Sequence, residues 1–376
     1  MPRYDEPITA LLRAIVWDLP CPIDPALLRQ PELWRQARRQ SMAHMLAVWA
    51  LNHGLTSSHD ADHKQRIFFA LQRRERQNRL LTELVTLLRS HDIEPVLLKG
   101  YAIALLYPNP DMRDFCDVDL YIGERDYDRM ITIIRTAYPT AFWFSAEHAG
   151  LHFTMVLDPQ SDLIAEMHRV PMEFASMPRA NRALQDFTLE QMQYTLSITV
   201  NGTDVHIPTP TYNALYVFLH AWHHFASRGV GLRQLADWML VLHAAAAEPQ
   251  LEETLLPLLR RMHILCIWQT FGWVLVNRLG LPQNEFPGYD ASPSCARRGE
   301  QLYRQLLKDG HGGREERMRL GGETLYALPY QRPEHGRLRQ KNFTFLRLLF
   351  EAVQMSKLFP RFAWRRFFAA LFHHNH

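Results

Sequence analysis

From Ile8 to His91 apolar positions recur at helical spacing, interrupted by Pro20, Pro22, Pro25 and Pro31 and again by Asn52-His53-Gly54. The longest helix expected spans Lys64 to Arg89. There Leu71, Leu81, Leu84, Val85 and Leu88 form a stripe, and the charged run ending at Arg79 reads as a solvated face. After His91 the pattern shortens. Apolar runs near Val96–Leu98, Val118–Ile122, Phe142–Phe144, Phe153–Leu157 and Leu163–Met167 are bounded by turn residues and read as strands, with helices at Tyr101–Leu106 and Arg125–Ala137 between them. Two further strands flank Asn201-Gly202, a pair suited to a type I′ hairpin. Beyond Pro210 the helical period returns over Tyr212–Ala226, Leu232–Ala247, Leu251–Met262 and Leu265–Leu279.

This order predicts an α+β protein: a helical region over residues 1–92, a sheet-containing core over 93–208, a helical domain over 209–308 and a basic, aromatic helical extension over 309–376. In the extension, Arg347, Lys357, Arg361, Arg365 and Arg366 interleave with aromatics, and the plainer reading is a helix packed on its own protein. No apolar stretch reaches the roughly 20 residues a membrane crossing needs, and no signal peptide is expected. The four cysteines, Cys21, Cys116, Cys266 and Cys295, have neither zinc nor disulfide-framework spacing, so a reducing cytoplasm fits best. With 376 residues, 47% apolar and 22% charged, a disordered chain is excluded; a net charge of +3 permits a nucleotide or nucleic-acid partner without requiring one.

The chemistry concentrates between Val96 and Ile122. On a strand, Asp117 and Asp119 point the same way while Val118 and Leu120 turn inward. Two carboxylates on one face repel unless a cation sits between them, and hard oxygen ligands favour Mg2+ or Mn2+ over zinc. His220 and His224 lie four apart on one helix, as do Arg233 and Asp237 on the next. The first pair would support a metal phosphohydrolase only if Asp237 joined it; otherwise these side chains line a cleft or, for Arg233 and Asp237, form an intrahelical ion pair.

These residues together resemble the uncharacterised nucleotidyltransferase family of the polymerase-beta-like superfold. The resemblance is carried by Leu97 to Gly100, by Arg113 before Asp117 and Asp119, by Glu166 followed by His168, and by Arg233 with Asp237. It implies a small mixed sheet carrying Asp117, Asp119 and Glu166 as ligands of two Mg2+ or Mn2+ ions. It also implies a nucleoside triphosphate held near Lys99, Gly100, Tyr101 and Arg113. Tyr101 stands where the superfold usually has serine, which keeps a catalytically silent nucleotide-binding module in view. Arg113 could instead pair with Asp111 or Asp114. His168 shares a face with Glu166 and would hydrogen-bond a carboxylate or the acceptor. The acceptor, whether a small molecule, RNA, a sugar or a protein, is not legible.

Overall fold

The computed structural model describes residues 4–55, 60–115, 117–145, 152–158, 163–174, 177–313, 319–320, 323–324, 348–353 and 355–373. Seven strands form one sheet: β1 (Val96–Leu97), β2 (Asp117–Tyr121), β3 (Phe142–Ser145), β4 (His152–Asp158), β5 (Leu163–His168), β6 (Thr195–Val200) and β7 (Thr203–Pro208). Their spatial order is β3-β4-β5-β2-β1-β7-β6. β2 runs parallel to β5 and β1 parallel to β7, while the other neighbours are antiparallel, so the sheet is mixed and the α+β expectation holds. The β6–β7 hairpin turns at Asn201 and Gly202, both at positive φ as a type I′ turn demands.

The helices used below are α1 (Asp5–Val16), α2 (Pro31–Arg39), α3 (Ala43–Asn52), α4 (Asp60–Arg89), α5 (Tyr101–Ala104), α6 (Tyr127–Ala137), α7 (Pro178–Gln191), α8 (Pro210–Ser227), α9 (Leu232–Ala245), α10 (Leu251–Arg261), α11 (Leu265–Val274), α12 (Pro293–Asp309) and α13 (Pro360–His373). Strand alternation divides the apolar residues between two cores. Leu97, Val118, Leu120, Ala165 and Met167 face α4 and α6, meeting Leu80, Leu84, Leu88, Met130 and Ile134. Val96, Leu98 and Tyr121 belong to the larger core built by the flanking helices. Asp117, Asp119, Glu166 and His168 therefore leave the sheet on the face turned toward that helical layer.

The helical layer is anchored by aromatics. Phe218 of α8 packs against Trp238 of α9 and Trp268 of α11, with ring centroids 4.9 and 5.1 Å away. Burying a side chain such as Phe218 fully stabilises the fold by about 1.5–3 kcal/mol. Gly231, just before α9, is required by a close approach: a Cβ there would stand 2.5 Å from the Gln40 carbonyl oxygen at the end of α2. Gln40 also accepts a hydrogen bond from the Leu232 amide, so α9 is fixed against the N-terminal helices.

Two features depart from the sequence reading. α7 lies within the α/β stretch at positions to which the sequence reading assigned no element, and its buried face, Ala180, Ala183, Leu184 and Phe187, joins the helical core. The charged run on α4 is not simply solvated, because Arg73 pairs with Asp114 and Arg74 with Asp111, tying the helix to the loop before β2. The C-terminal stretch behaves as the plainer reading expects: Phe362, Ala363 and Phe367 of α13 are buried, and Phe362 meets Trp222 of α8. Residues 341–347, 354 and 374–376 of that stretch, like Cys116, lie outside the described residues. Among the described cysteines, Cys21, Cys266 and Cys295 are free thiols.

Candidate functional site

The parallel register of β2 and β5 sets Asp119 directly opposite Glu166 and Tyr121 opposite His168. Neighbouring strands lie about 4.8 Å apart, so carboxylates at paired positions crowd on one face. Asp119 Oδ1 accepts a hydrogen bond from His168 Nε2 at 3.1 Å, and the same nitrogen lies 3.7 Å from Glu166 Oε2. One ligand atom from each of Asp119, Glu166 and His168 falls within 4.8 Å of the others. Asp117, two residues earlier, is half-buried at the mouth of the group.

Lys99 enters from the neighbouring strand end. Its ammonium lies 3.2 Å from Asp119 Oδ1 and 3.8 Å from Asp117 Oδ2. It also donates to Nε2 of His220 on α8 at 3.1 Å. Burial alone would lower the Lys99 pKa, but the charges of Asp119 and Asp117 outweigh it and raise the pKa above its ordinary value. His220 is driven the other way, first by burial and then by the Lys99 charge, and stays neutral. Because the Lys99 ammonium can only donate, Nε2 is the accepting nitrogen of the neutral ring.

The carboxylates divide in behaviour. Burial pushes the Asp119 pKa up, but the Lys99 charge and the His168 hydrogen bond dominate and bring it down to about 2. Glu166 is pushed up to about 7 by burial and by the neighbouring Asp119 charge. Burial and Asp119 also raise Asp117. Although Asp119 is only 1% exposed, its Oδ2 has no hydrogen-bond partner. A buried carboxylate oxygen left so costs on the order of 1–3 kcal/mol or more, and such groups need a reason.

Gly100 follows Lys99 at φ 72°, where an L side chain is strained. Arg113 holds this turn by donating from Nη1 to the Gly100 carbonyl at 2.9 Å. Its other nitrogens grip Asp237 of α9, Nε to Oδ1 at 2.9 Å and Nη2 to Oδ2 at 3.1 Å. Asp237 also accepts from Tyr107 Oη at 2.7 Å and from Arg233 at 3.0 Å. The pairing of Arg113 with Asp111 or Asp114 is thus replaced, because Arg73 and Arg74 have taken those two carboxylates. The Arg233–Asp237 ion pair forms within α9 as its spacing allows. Asp237 faces Arg113 and Tyr107, and both its oxygens are engaged, so it does not complete a ligand set with His220 and His224. Those rings contact each other at 4.5 Å, and burial lowers the His224 pKa to about 3.

The predicted residues therefore form two adjoining groups. Asp117, Asp119, Glu166, His168, Lys99 and His220 converge, while Arg113, Arg233 and Asp237 brace the Gly100 turn against α9. Tyr101 opens α5, which is a single turn and so carries little of the macrodipole expected of a longer helix. Sequence reading missed Tyr216, whose buried phenol on α8 lies against the charges of Lys99, Asp119 and Glu166, and Tyr107, which caps Asp237. Tyr216 carries only the spacing of a helix core position, and Tyr107 sits in the bend after α5, so neither has a local signal of function.

A family model described as uncharacterised nucleotidyltransferase matches residues 28–280, which takes in every one of these side chains. The chain belongs to that family. No curated protein matches this nucleotidyltransferase-family chain. The crystal structure of an antigenic nucleotidyltransferase-like protein from Paracoccidioides brasiliensis aligns with 55% of this chain and 92% of its own, at 16% identity and a TM-score of 0.33. No helix among the described residues of this family member is long and apolar enough to cross a membrane.

Proposed function

We propose that the acidic group between the sheet and α8 is a metal-dependent nucleotidyl-transfer site. It would take a nucleoside triphosphate and pass the nucleotidyl group to a hydroxyl or phosphate of a small molecule, RNA, sugar or protein. The observation that carries this reading is Asp119 Oδ2, buried and unpartnered beside Glu166 and His168. An oxygen-rich donor set with one imidazole fits Mn2+ or Mg2+, and Asp119, Glu166 and His168 would hold the ion. Once bound, the ion would polarise a phosphoryl oxygen as a Lewis acid.

The remaining work falls to the chain. Glu166 would hold the ion through one carboxylate oxygen and accept the acceptor's proton at the other. The acceptor oxygen then bonds to the α-phosphorus, the bond to the pyrophosphate oxygen breaks, and pyrophosphate leaves with that electron pair. Before an ion binds, His168 Nε2–H orients Asp119 through the 3.1 Å hydrogen bond, and that nitrogen would release its proton to solvent on taking the ion. Gly100, bare of a side chain at the turn, lets phosphate oxygens approach the backbone, and Arg113 keeps that turn in place. The free cysteines fit a reducing cytoplasm.

Mn2+ binding followed by paramagnetic resonance, with pyrophosphate release from each nucleoside triphosphate across the acceptor classes, tests the reading. The expected result is saturable Mn2+ binding that Asp119→Asn abolishes, together with pyrophosphate release from at least one nucleotide–acceptor pair. Equal Mn2+ binding by wild type and Asp119→Asn overturns the site. Cation and nucleotide binding with no pyrophosphate release from any pair would instead indicate the silent binding module that Tyr101 leaves in view.

A further inference from the structure

The two-ion arrangement implied by the resemblance needs the space between Asp117 and Asp119 for its second cation. That space is occupied by a side chain of the protein. We infer that the Lys99 ammonium takes the place of the second ion, so that the site binds a single divalent cation. This inference rests on the proposed nucleotidyl-transfer reading and deepens it.

Three observations converge. The ammonium touches both aspartates, 3.2 Å from Asp119 Oδ1 and 3.8 Å from Asp117 Oδ2. It is also held from the opposite wall, where neutral His220 accepts its third contact at 3.1 Å. A lysine merely neutralising surface acids would not be fixed from sheet and helix at once.

The backbone that carries it is fixed too. The Leu98 amide donates to the Asp119 carbonyl at 3.0 Å, which ties the residue before Lys99 to the strand bearing the aspartates. The Gly100 carbonyl on the other side is held by Arg113, itself gripped by Asp237. Lys99 is thus built into the turn between two fixed backbone points.

The charges agree with this assignment. With the ion displacing any proton they hold, Asp117, Asp119 and Glu166 carry three negative charges against the one positive charge of Lys99, leaving two that one divalent ion neutralises. The geometry also separates the two positions. Asp119 Oδ1 is shared by Lys99 and His168, whereas Oδ2 has no partner, so the ammonium and the ion divide the two oxygens of one carboxylate. Asp119 would then bridge an ion and a lysine where a two-ion site has it bridge two ions.

An anomalous-scattering map at the manganese edge tests this, from crystals grown with excess Mn2+ and a nonhydrolysable nucleoside triphosphate analogue. We expect one peak bounded by Asp119, Glu166 and His168, with Lys99 still in contact with Asp117 and Asp119. In solution, paramagnetic resonance should count one site-bound Mn2+ per wild-type chain. Lys99→Met, which vacates the second position, should raise that count to two. A second peak between Asp117 and Asp119 in the wild type overturns the inference while leaving the nucleotidyl-transfer site standing. Absence of any peak near Asp119 overturns both. If Lys99→Met does not fold, the wild-type map and count still decide between one ion and two.

Discussion

Two aspartates, Asp119 and Asp237, are almost equally buried, at 1% and 4% exposure, yet their surroundings differ in kind. Asp237 is saturated: Arg113 binds both its oxygens, and Tyr107 and Arg233 supply one further donor each. Asp119 shares one oxygen between Lys99 and His168 and leaves the other bare. A fully paired buried carboxylate is part of the frame. One left half-paired in the interior is held for something that binds there.

The sharpest way to break this comparison is to neutralise each aspartate in turn. Asp119→Asn should lower transfer activity by roughly a thousandfold or more, on the scale lost when a transition-state electrostatic contact is removed, and should abolish Mn2+ binding while leaving the fold intact. Asp237→Asn should do the reverse. Stranding the buried Arg113 guanidinium should cost about 3–5 kcal/mol of stability by denaturant unfolding, with Mn2+ affinity retained in the folded fraction. If both variants lose stability alike and both keep the metal, the distinction fails.

A smaller effect concerns His168. If it is a ligand, His168→Asn should weaken Mn2+ binding roughly tenfold, a change in the range typical of disturbed metal-site ligation, and Mg2+ binding less, because imidazole suits the transition ion. Equal losses for the two ions would confine His168 to orienting Asp119.

The smallest expected effect is the pH dependence of stability. Glu166 in the folded protein holds its proton up to about pH 7, above the 4.5 of a free glutamate side chain. The folded state therefore binds that proton more tightly than the unfolded chain. The stability it contributes is complete below about pH 4.5 and is lost as pH rises through 7. Thermal unfolding of the metal-free protein should show this decline between pH 5 and 8, and Glu166→Gln should flatten it. Asp119 acts in the opposite window: its contribution is present above pH 3.8 and fades as pH falls toward 2.

Much of the frame was legible from periodicity because each face of each strand has one destination. Val118 and Leu120 had to turn inward, which set Asp117 and Asp119 on the other face; the Asn201-Gly202 turn and the helices after Pro210 followed from equally local signals. What local pattern could not supply was register between distant segments. That Glu166 pairs with Asp119 is a property of the β2–β5 ladder. The partnership of Arg113 with Asp237 spans 124 positions and depends on α9 docking beside the Gly100 turn. Lys99 was legible as a phosphate-neutralising cation at the Gly100 turn, but its contacts with Asp117, Asp119 and His220 required knowing how the strand ends meet and that α8 covers the sheet. α7 went unassigned although Ala180, Ala183, Leu184 and Phe187 carry helical spacing, because it lies between strands inside the stretch read as the α/β core.

The most direct test of the central claim is a Mn2+ titration of wild type, Asp119→Asn and Asp237→Asn side by side, read by loss of the free-ion resonance signal. Wild type and Asp237→Asn should take up the ion, and Asp119→Asn should not. Uptake by Asp119→Asn equal to wild type would contradict it.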